Sequence, residues 1–177
     1  MKQHRSRNRL VSILALAAVG VLGIGGLVPA EDPPPPPPME RFNDKFGNVR
    51  VLLQNATAKL RRGVAGGLSA DGSTADLPPT PGRLCCGWNI QRMNERFYEM
   101  QGALKELRAC FAKQHDTGAL DQLKTVEQDL QQLTRAVDLF AKSEEPGRTH
   151  AALAAAKRSY LLLEQSSGNV PPCSSEE

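Results

Sequence analysis

Apolar residues recur at alternating steps of three and four along three stretches of this chain. One is Met39, Phe42, Phe46, Val49, Leu53, Ala56 and Leu60. Another is Ile90, Met93, Phe97, Met100, Leu104, Leu107 and Phe111, and the third is Ala119, Leu123, Val126, Leu130, Leu133, Val137 and Phe140. An apolar period of about 3.5 residues lays a narrow stripe along an α-helix and suits knobs-into-holes packing against another helix. A fourth, shorter series, Leu153, Ala156, Tyr160 and Leu163, keeps the same steps. The fold class this implies is all-α, an antiparallel three- to four-helix bundle with coiled-coil-like seams.

Breaks in the pattern set the boundaries. Helix 1 is expected over 39–62, and 63–87 is expected as a flexible linker because 63–83 is dominated by Gly, Ser, Thr and Pro. Such composition buries too little apolar surface to order itself. A bundle core over 88–167 follows, with helices at about 88–114, 119–142 and 148–166, and 168–177 is a tail. Short connections make helices 2, 3 and 4 antiparallel neighbours. Helix 1, on its long tether, is either a fourth member of the bundle or a helix that seeks a partner. On the second alternative, Phe42, Phe46, Val49 and Leu53 form an interaction face for a protein partner or for self-association.

The formal charge of +3 belongs to the first thirty residues. Lys2, Arg5, Arg7 and Arg9 lie there with no acidic residue, and setting those four aside leaves 18 basic against 19 acidic residues. A nucleic-acid partner is therefore not expected, since displacing counterions from phosphate needs a concentrated basic surface. The basic head precedes an uncharged run, Leu10–Val28, that ends in Val28-Pro29-Ala30. Residues 1–30 have the layout of an export signal with small residues before the cleavage point. The run is also close to the shortest membrane-spanning helix, about 17 residues, so an uncleaved membrane anchor over residues 10–28 is the rival reading to cleavage. Either way the remainder is expected to be exported: periplasmic, extracellular or membrane-anchored. Within the spacer at 31–38, Pro33–Pro38 favours a stiff polyproline II rod of roughly 19 Å at about 3.1 Å per residue.

Four cysteines in an exported chain point to disulfides, with three complete pairings possible. If the intervening segment is mostly one helix, Cys86 and Cys110 stand roughly 36 Å apart at 1.5 Å per residue. A disulfide spans no more than about 7 Å between Cα atoms, so neither Cys85 nor Cys86 reaches Cys110. Helix 4 ends near the level of Ala109, and the tail brings Cys173 to Cys110, so this pair is the expected bond. Cys85 and Cys86 are left as unpaired thiols or an intermolecular bridge, with a vicinal disulfide or a soft-metal site also open. For the metal, Cys85, Cys86, Met93 and His150 share one end of the bundle, and their thiolate, thioether and imidazole groups suit Cu(I).

The opening Met39-Glu40-Arg41-Phe42-Asn43-Asp44 resembles the start of the small periplasmic four-helix-bundle cytochromes that bind b-type haem. In that family a methionine early in the first helix and a histidine late in the last ligate the iron. Met39 matches the methionine. The last helix offers Tyr160-Leu161-Leu162-Leu163 and no histidine near its end, and the long linker falls where the family has a tight turn. The resemblance thus implies a bundle without the haem, and no cofactor is expected. Enzymatic activity is not expected either: inward Glu residues with Glu-x-x-His pairs, a Ser/His/Asp order and a glycine-rich phosphate loop are all missing. The leading expectation is a non-enzymatic, exported helical bundle that acts by protein–protein interaction near a membrane. The alternatives are a secreted helical signalling ligand and a soft-metal- or haem-binding periplasmic protein.

Overall fold

The computed structural model describes residues 34–66 and 80–173, the side chains of 63–66 excepted. The leader and the beginning of the proline spacer, most of the linker and the last four residues lie outside the described residues. Four α-helices follow one another: α1 (Pro38–Gly66), α2 (Pro81–Lys113), α3 (Thr117–Lys142) and α4 (Pro146–Ser167). Among the described residues there is no strand, and no helix is long and apolar enough to cross a membrane.

Every residue of the three long stripes is buried except Met39, which is partly buried and packs against the core. The stripe of α4 is buried as well. One continuous core results, and its largest fully enclosed side chains include Phe42, Phe97, Phe111 and Phe140. α1 packs chiefly on α2 and α4 chiefly on α3, and the two helical hairpins join mainly through α2 and α3. α1 and α4 meet only sparsely, so one seam of the bundle is thin.

Ion pairs record the register. Arg41 pairs with Glu106 and Lys45 with Glu99 at 3.6 Å between α1 and α2, which run antiparallel. Arg108 pairs with Glu127 between α2 and α3. These bridges are partly exposed, and such pairs contribute roughly 0–1 kcal/mol each, so burial of the stripes carries the stability.

Helix ends follow local chemistry. Pro38 opens α1, where a missing N–H costs nothing. α2 ends with His115 in the left-handed region at φ 56°. The His115 amide donates to the Ala112 carbonyl at 3.2 Å, and the Asp116 amide donates to that of Phe111 at 3.1 Å. This is a Schellman closure, normally built on glycine. Asp116 then caps α3, its Oδ1 accepting from the Ala119 amide at 2.9 Å.

Two boundaries differ from the sequence reading by more than two residues. α1 continues four residues past the expected end at residue 62. α2 begins at Pro81 rather than Trp88, so 81–87 belong to a helix and not to the flexible linker. Thr80 and Pro81 explain the earlier start: Thr80 is the N-cap, accepting from the Arg83 amide at 3.3 Å, and proline suits the first helical position. The helix is not continuous there, because Cys86 has non-helical φ and ψ of −140° and 16°.

Candidate functional site

The residues proposed from sequence as an interaction face belong to the interior. Phe42 and Val49 are fully buried, Leu53 is 3% exposed and Phe46 6%. Phe46 stacks on Phe42 at 6.1 Å and on Tyr160 of α4 at 4.2 Å, the latter nearly parallel. The physical reason is that the period of 3.5 residues fits a seam with the chain's own helices as well as with a foreign one. α1 is a core element, and its stripe is buried against the chain's own helices.

At Tyr160 the thin seam between α1 and α4 opens into a cleft of about 280 Å³. Leu53 from α1 and Tyr160 and Leu161 from α4 give it an apolar lining. Arg50, Gln54, Lys157 and Glu164 complete the lining with polar and charged groups, and Arg50 faces Glu164 at 3.9 Å. Burial pushes the Tyr160 phenol above its usual range; the charge of Glu164 adds to this and Arg50 opposes it. Leu161 is 61% exposed, a large apolar side chain left in water at the edge of an apolar depression. The sequence does hold a signal for it. The steps of three and four take only Tyr160 and Leu163 into the core, so the intervening Leu161 and Leu162 must face outward.

The cysteines form two intramolecular bonds. Cys110 joins Cys173, with Cα atoms 6.3 Å apart, as the helix geometry requires. Cys85 joins Cys86 directly, with Cα atoms 3.8 Å apart, and among the described residues no cysteine is free. The expectation of unpaired thiols or an intermolecular bridge is therefore corrected. Successive residues of a regular helix point about 100° apart, so adjacent cysteines cannot meet there. The non-helical backbone at Cys86 is what brings them together.

That bond also removes the basis of the soft-metal site, because both sulfurs are occupied. Met93 is wholly buried in the core, whereas His150 is exposed on α4. Among the described residues no three His, Cys, Asp or Glu side chains cluster to hold a metal ion. No family model, curated protein or solved structure matches the chain.

Among the described residues the other exposed large apolar side chains are Val51, Trp88, Tyr98, Leu139 and Leu162. Trp88 is about half exposed with the Arg92 guanidinium over its ring at 5.6 Å, and Tyr98 is largely exposed on the same helix. The adjoining Glu95 carboxyl is held below its usual range, first by the hydrogen bond from Arg92. Trp88, Arg92 and Glu95 thus form a linked row along the outer face of α2.

Proposed function

We propose that this chain is an exported helical-bundle protein that acts without catalysis, through protein–protein contact near a membrane. The observation that carries this reading is the α1–α4 cleft, with its apolar lining, its charged rim of both signs and the exposed Leu161. A water-exposed leucine beside a shallow apolar depression gains when another apolar group covers it, by about 25 cal/mol per Å² removed from water. Arg50, Lys157 and Glu164 around it supply directional contacts that would select among partners. The basic head, the apolar run and the proline tract support export and a stand-off from the membrane surface.

The test places a photo-cross-linking residue at Gln54, on the wall of the cleft, in the full chain in its native host. It also measures sedimentation of the purified exported form. A specific cross-linked species, or a self-association constant, should be lost on Leu161→Asp while the helix content stays unchanged. Retention of the cross-link or of the association in Leu161→Asp would remove the cleft from the account. Amino-terminal sequencing of the exported form tells a cleaved leader from a retained anchor.

A further inference from the structure

The short segment ahead of the Cys86 kink does not run on along the axis of α2. In the body of the bundle Leu104 of α2 and Leu130 of α3 line one cleft, and Arg108 pairs with Glu127. Extended along two straight antiparallel helices, that register sets Phe140 beside Asn94. Gly82 would then lie roughly 18 Å further along, at 1.5 Å per residue. Instead Gly82 lies directly against the Phe140 carbonyl, so closely that a Cβ at position 82 would collide with that oxygen. One residue earlier than Pro81, the buried Thr80 hydroxyl donates to the Ala141 carbonyl at 2.5 Å. The first turn of α2 is folded back over the C-terminal end of α3, where carbonyls lack partners within their own helix. The bend that permits this is at Cys86, and the Cys85–Cys86 bond spans it.

We infer that the Cys85–Cys86 disulfide is a redox switch that holds the first turn of α2 against the end of α3. With the bond closed, residue 86 cannot adopt helical φ and ψ, because adjacent helical side chains diverge. With the bond open, α-helical backbone at residue 86 becomes accessible and carries Gly82 and Thr80 away from Phe140 and Ala141. The co-reactant is a dithiol. One of its thiolates attacks the sulfur of Cys85, a buried residue that retains 9% exposure where Cys86 has none, and the Cys86 sulfur leaves as thiolate. The second thiol of the reductant then displaces Cys85 and closes the reductant's own disulfide. Two electrons and two protons pass to the protein, leaving two thiols. Asn89 stands one turn beyond, 1% exposed, with its side-chain NH₂ lacking any hydrogen-bond partner. A buried donor without an acceptor is costly, so the packing beside the kink is not fully satisfied while the bond is closed.

The experiment is hydrogen exchange on the full chain across a graded dithiothreitol series, with differential alkylation counting the thiols at 85 and 86. Reduction should speed exchange at the amides of 82–86 and at the end of α3 at least tenfold, while the centres of α1 and α3 stay protected. The response should persist in the full-length Cys110→Ser/Cys173→Ser variant, which lacks the other bridge. Gly82→Ala, which drives the fold-back apart with the bond intact, should show the same local acceleration without reductant. Unchanged exchange at 82–86 on reduction would overturn the inference. So would loss of protection throughout the chain, which would make the bond a structural staple, or two free thiols in the isolated exported protein.

Discussion

His115 is the residue whose backbone works hardest against its side chain. A non-glycine residue in the left-handed region costs roughly 1–2 kcal/mol, and the Schellman closure of α2 requires that conformation here. His115→Gly should therefore raise stability by about 0.5–1 kcal/mol, part of the gain being offset by glycine's freedom in the unfolded chain. Urea unfolding of both forms would show a higher midpoint with an unchanged slope. Phe46 is the opposite case, a side chain buried between Phe42 and Tyr160. Phe46→Asp removes the aromatic contact and buries a carboxylate without a partner, which should cost more than about 3 kcal/mol. Circular dichroism should show loss of the cooperative melt of the whole bundle, and survival of α2–α4 intact would contradict the core role of α1. Tyr160 gives a pH signature. Its phenol is raised in the folded state, so its contribution is complete below the unfolded tyrosine range, near pH 10, and is lost as pH climbs through the folded value. Thermal melts from pH 8 to 11 should fall less steeply for Tyr160→Phe than for the parent chain.

At the scale of elements, the stripes were readable because a step of three and four admits only one face of a helix to the core. All four helices follow from it, and every stripe residue but Met39 is buried, with Leu52, Ala103, Ala136 and Ala141 widening the buried faces. The destination of the first stripe was not readable, since a seam of this kind is satisfied equally by α2 of the same chain or by another molecule. The start of α2 was obscured by composition: Pro, Gly and two cysteines ahead of Trp88 look like linker. Thr80-Pro81 was the local signal, an N-cap followed by a residue suited to the first helical turn. The tie between α2 and the tail was legible from helix lengths alone. Cys110→Ala should lower stability by about 4 kcal/mol in the loop-entropy picture, with little change in helix content. Peptide mapping without reduction should recover Cys110 and Cys173 in one species, and Cys85 and Cys86 within one peptide.

At the scale of the whole molecule, two hairpins share a core through α2 and α3 and leave α1 and α4 thinly joined. That asymmetry makes one face of the bundle the place where a further element has most to gain. The Cys110–Cys173 bond adds a mechanical consequence. Tension applied between residue 35 and residue 173 runs along α1 and α2 to Cys110 and crosses directly to Cys173. α3 and α4 lie on a covalent bypass and bear none of it. A chain held at its amino end and pulled from its tail would thus pay out only its first two helices. Breaking the bond would lengthen the fully stretched chain by roughly 210 Å, at about 3.3–3.6 Å for each residue released. Single-molecule extension with and without reductant would read that difference directly.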